Sequence, residues 1–112
     1  MPTADFPKLV FDYPFDERSQ FEAKARGYLS HAKVQQSNGA FYPVVFYDPV
    51  RLGQDLESEV STGRKCVADP GMIVVSEVTL ENMTAAINKL TEEGFFNHLK
   101  PIEATASVAR NT

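Results

Sequence analysis

Two runs of this chain, Phe41–Tyr47 (FYPVVFY) and Met72–Val78 (MIVVSEV), carry apolar residues on both alternating faces. Such a strand needs cover on each side of its sheet, because a bare face would leave contiguous apolar surface in water. Whatever the chain folds into must place these segments together and find two covers for them. With 112 residues the chain can build one hydrophobic core but not two ordinary domains, so residues 1–112 are expected to form a single domain.

The segments around these runs set the expected order of elements. Lys8–Tyr13 alternates Leu9, Phe11 and Tyr13 against Lys8, Val10 and Asp12, the pattern of a short half-buried strand. Asp16 then offers an N-cap, and Phe21, Ala25, Tyr28, Leu29 and Ala32 recur at helical spacing, so an amphipathic helix is expected to run on to about residue 34. Gly27 is its weak point. Pro43 cannot donate to a ladder, so pairing on one side of the first central run should start after it.

Asp48 followed by Pro49 reads as an N-cap with proline at the first helical position, and the apolar side of that helix is Pro49, Leu52, Gly53, Leu56 and Val60. Asp69-Pro70-Gly71 predicts a type II turn between a run at Lys65–Ala68 and the second central run. Thr79 caps a final helix whose buried stripe is Leu80, Met83, Ala86, Ile87 and Leu90, ending at Gly94. Phe95–Ile102 (FFNHLKPI) reads as an edge strand, and residues 103–112 as a frayed tail.

From about residue 40 to 102 the expected order is therefore β-α-β-β-α-β, the ferredoxin-like arrangement within an α+β class, preceded by the short strand and amphipathic helix. The two doubly apolar runs would be its central strands. Its two helices would cover one face only. The other face would need the N-terminal helix, a second subunit or a ligand.

Composition and motifs exclude several classes of function. A net charge of −4 with scattered basic residues gives no phosphate-neutralising patch, so no nucleic-acid partner is expected. The eight residues Ala40–Tyr47 are the densest apolar stretch, short of the roughly 20 that a membrane helix needs. The N-terminus lacks a signal-peptide pattern, and Cys66 is alone, so a cytoplasmic, reducing setting is expected. His31 and His98 have no ligand-spaced partners, the glycines form no nucleotide-binding motif, and no serine sits in a nucleophile elbow. No cofactor or metal is expected. His31 is assigned to a helix end, Cys66 to a small buried position, and Asp48 to capping.

The residues left as a candidate pocket or interface are Phe41, Tyr42, Phe46, Tyr47, Phe96 and His98. They suit a non-catalytic interaction or regulatory module that uses the second face of its sheet for self-association, as a homodimer, or for a protein partner. The alternatives are a dimeric α/β-barrel-like, cofactor-free enzyme resting on His98 with Asn97 or on a tyrosine, and a sensor of small molecules in an apolar aromatic pocket.

Overall fold

The computed structural model describes residues 6–102. Its elements are β1 (Lys8–Phe11), α1 (Glu17–Arg26), β2 (Tyr28–Gln35), β3 (Phe41–Tyr47), α2 (Pro49–Ser61), β4 (Met72–Val74), α3 (Leu80–Glu92) and a 3-10 helix (Phe95–His98). Among the described residues the sheet has four strands in the order β1-β2-β3-β4. The first two pairings are antiparallel and the third is parallel, with α2 in the crossover. The protein is α+β with a mixed sheet.

The expected long helix is divided at Gly27. That glycine takes φ 68, in the left-handed region, and its N–H closes α1 onto the Ala23 carbonyl at 2.9 Å. Tyr28–Gln35 then forms the longest strand of the sheet. Leu29 and Ala32 sit three apart, a helical spacing, yet pair with Phe46 and Val44 on one face. A β-bulge between them makes this possible, because an extra residue shifts the alternation by one. The bulge imitates a helix in sequence. Consequently Phe21 and Ala25, read as inward, point out of α1, and Phe21 is 73% exposed.

Two other expected strands are absent. Lys65–Ala68 is irregular, and Lys65 itself takes φ 69, which no extended strand accommodates. Phe95–His98 is a 3-10 helix after Gly94 at φ 79, leaving only an isolated bridge from Ile102 to Phe41. The edge of β3 that a fourth ferredoxin strand would occupy is filled by β2. The second central run is also shorter than expected, pairing only over Met72–Val74, and β4 lies at the sheet's margin. The expected tail at 103–112 lies outside the described residues.

Proline and glycine set the register of the parallel pair. The Val45 N–H donates to the Gly71 carbonyl at 3.1 Å and the Val75 N–H to Tyr47 at 2.8 Å, so odd-numbered residues of β3 direct their backbone groups toward β4. Pro43 is one of these, and the pairing begins at Val45–Met72, just past the missing donor. The Asp69-Pro70-Gly71 turn forms as expected, with the Met72 N–H on the Asp69 carbonyl at 3.1 Å and Gly71 at φ 80.

The core lies on the face that carries the even-numbered residues of β3. Val34, Val44, Phe46, Ile73, Val78, Met83, Ile87 and Phe96 are buried together there, with Ala23 of α1 and flanking Leu9, Phe11 and Phe15. Full burial of each large side chain contributes about 1.5–3 kcal/mol. The stripe expected on α3 is realised at Met83 and Ile87, while Leu80 is 40% exposed.

Gly71→Ala would put a Cβ against the Pro43 carbonyl while forcing a non-glycine residue to φ 80, whereas Gly53 in α2 has open space around it. In urea denaturation Gly71→Ala is expected to lower stability by about 2 kcal/mol or more, and Gly53→Ala to raise it by about 0.5–1 kcal/mol. A second test concerns Asp16, whose side chain accepts from the Ser19 N–H at 2.9 Å. That bond holds its carboxyl below the usual range. The folded-state value is the lower one, so the cap's contribution is present above the unfolded pKa and fades as pH falls through the folded one. Thermal melts from neutral to acid should show a smaller pH dependence for Asp16→Asn.

Candidate functional site

Among the described residues the opposite face of the sheet is the less covered one. It is built from Lys8 and Val10 of β1, Lys33 and Gln35 of β2, Phe41, Pro43, Val45 and Tyr47 of β3, and Met72 and Val74 of β4, following the register and alternation. Most are only partly covered, and Val74 is 47% exposed. The Lys33 ammonium lies 5.8 Å from the Phe41 ring centre and 2.8 Å from an Asp12 oxygen.

One end of this face is closed by α2. Asp48 caps the helix by accepting from the Arg51 N–H at 2.8 Å, with Pro49 next to it. Arg51 then stacks its guanidinium 4.8 Å from the Tyr28 ring centre and pairs with Asp55 at 3.0 Å. Tyr28 meets Tyr47 edge to face at 5.0 Å. Tyr47 is left 5% exposed, and burial pushes its phenol pKa up, reinforced by Tyr28, Asp55 and Asp69 and opposed by Arg51.

The side of α2 that meets the sheet is thus largely polar. No residue of the helix is buried, and none joins the core. Its apolar stripe, expected to face inward, is turned partly to solvent: Leu56 is 41% and Val60 51% exposed. The two helices that were expected on one face lie on opposite faces.

Described residues line at least three cavities. The first, about 290 Å³, lies between α2 and the following loop and is lined by Tyr47, Asp55, Glu59, Arg64, Cys66 and Asp69 among others. The second, about 310 Å³, lies between α1 and the β2 bulge, with Tyr13, Glu22, Arg26, Ser30 and His31 in its wall. The third, about 340 Å³, is an apolar groove between β4 and α3. Among the described residues no group of three or more His, Cys, Asp or Glu is placed to hold a metal ion. No helix among them is long and apolar enough to cross a membrane.

The six candidate residues separate according to strand alternation. Tyr42 and Phe46 face the core, where Tyr42 packs on Phe96 with ring centres 5.6 Å apart. Phe41 and Tyr47 face the other side. His98 ends the 3-10 helix in an exposed position. Of the six, only Tyr47 lines any of the three cavities.

His31 is not at a helix end. It sits in the bulge at φ 63, with the Ser30 hydroxyl 3.0 Å from its Nδ1. Cys66 is not buried but exposed. Tyr28, expected in the apolar stripe of a helix, opens a strand instead and meets the guanidinium of Arg51. Their contact exists only because the Tyr28–Tyr47 pairing brings the start of β2 to the start of α2.

Comparison with protein-family models, with curated proteins and with solved structures finds no match.

The exposure of Cys66 can be checked directly. A thiol-reactive chromophore should label the native protein within a few-fold of the rate seen in denaturant, where a buried thiol would be protected by orders of magnitude.

Proposed function

We propose that the chain is a non-catalytic interaction module that self-associates through the second face of its sheet. The observation carrying this reading is α2, a 13-residue helix with no buried residue. A helix of that length is marginal in water and ordinarily depends on packing of its apolar side. Here the Leu52, Leu56 and Val60 stripe lacks that packing, and on the same side of the sheet Val45, Met72 and Val74 are also incompletely covered. A second copy would cover both.

Charge favours a second copy as the occupant. Lys8 stands at the β1 end of the face beside the Lys33–Asp12 pair, with no carboxylate among the described residues within ion-pair distance of it, while α2 at the other end carries Glu57 beyond the paired Asp55 and Glu59. A two-fold axis through the middle of the face sets the basic end of each copy over the acidic helix of the other. An isologous interface requires this self-complementarity. The single exposed thiol fits the reducing cytoplasmic setting expected from the sequence.

Sedimentation equilibrium over a range of protein concentrations tests the reading. The wild-type chain should associate to a dimer, and Leu56→Glu with Val60→Glu should weaken that dimer about tenfold or more while circular dichroism stays unchanged. Lys8→Glu should weaken it and added Glu57→Lys should restore it. A chain that stays monomeric at high concentration, or a dimer indifferent to all four changes, would overturn the proposal.

A further inference from the structure

The third cavity lies at the β4 edge, between that strand and α3, and borders the sheet face assigned to self-association at Met72 and Val74. Its walls are Met72, Ile73 and Val74 of β4, Ala86, Lys89 and Leu90 of α3, and Phe95. One wall is therefore a sheet edge and the other a helix flank. The backbone of β4 adds what the side chains alone would not. Gly71, Ile73 and Val75 direct their backbone groups toward β3, as the bonds at Gly71 and Val75 show. By alternation Met72 and Val74 direct theirs outward. The Met72 N–H is taken up by the Asp69 carbonyl, while the Met72 carbonyl and both Val74 groups have no backbone partner among the described residues.

We infer that this groove binds the carboxy-terminal end of an extended peptide, which adds to β4 as a fifth strand. The unpaired edge supplies a short ladder of one donor and two acceptors. Side chains of the added strand alternate, so every second one turns down between β4 and α3, onto Ala86, Leu90 and Phe95. That floor selects an apolar residue. Its volume, about 340 Å³, accommodates one or two such side chains.

Charge and length identify the carboxy-terminal end. Among the described residues Lys89 is the one charged residue in the groove wall, and none of their carboxylates lies within ion-pair distance of it. A peptide carboxylate would pair with it. The edge is three residues long and the chain turns away after Val75, so a strand passing through would find no ladder beyond it. A chain end of three or four residues matches that span.

The probe is a dye-labelled pentapeptide alternating threonine and valine and ending in a free valine carboxylate, titrated by fluorescence anisotropy. Saturable binding is expected, with the C-terminal amide of the same peptide binding about tenfold more weakly. Lys89→Gln should remove that difference and leave the amide's affinity unchanged. N-methylation along the peptide should abolish binding at alternate positions only, because a ladder bonds every second residue.

Leu56→Glu with Val60→Glu should bind the probe as the wild-type chain does, which separates this site from the sheet-face dimer. The proposal fails if no saturation is reached at millimolar peptide, if the amide binds equally well, or if N-methylation acts without a period of two. It also fails if hydrogen-exchange protection at Val74 rises with protein concentration and not with peptide, an outcome that would assign the edge to a second copy.

Discussion

The junction of Gly27 with Asp48 holds the rest of the structure in register. Gly27 ends α1 in a left-handed conformation and accepts the Asp48 N–H at 2.9 Å, which joins the start of β2 to the end of β3. The Asp48 side chain caps α2, and the Arg51 guanidinium that follows reaches back to the Arg26 carbonyl at 3.4 Å. Two helices and two strands thus meet at one point. A side chain at position 27 would meet the Asp48 carboxylate at 2.5 Å, so the close approach needs glycine for its space as well as for its φ.

From this junction follows the unequal treatment of the two sheet faces. Closing α1 at Gly27 frees Tyr28–Gln35 to become a strand, and that strand takes the β3 edge that the expected topology reserved for residues after 94. Released from the sheet, Phe95 and Phe96 pack as a 3-10 helix against Tyr42 and the core. The core face is thereby covered by α1, α3 and this helix, leaving α2, among the described residues, alone on the other. Open area on that face and, among the described residues, an unpaired edge at β4 are two consequences of one arrangement.

Legibility in the sequence tracked how local the determining physics was. The caps at Asp16, Asp48 and Thr79, the Asp69-Pro70-Gly71 turn and the Met83 and Ile87 centre of the α3 stripe depend on residues close in sequence, and each is found where expected. The strand at Tyr28–Gln35 was hidden because its bulge set Leu29 and Ala32 at helical spacing. Likewise the candidate residues were grouped as aromatics, whereas alternation along β3 sends Tyr42 and Phe46 to one side and Phe41 and Tyr47 to the other.

What the sequence determined by itself was the demand for two covers, since FYPVVFY is apolar at odd and even positions alike, together with where the parallel pairing could begin, since Pro43 has no N–H to give. Which helix covers which face was decided only by tertiary structure. The sequence shows the apolar stripe of α2 as plainly as that of α3, yet one is buried and the other half exposed. Helical periodicity states that a face is apolar; what that face meets depends on contacts between residues far apart in the chain.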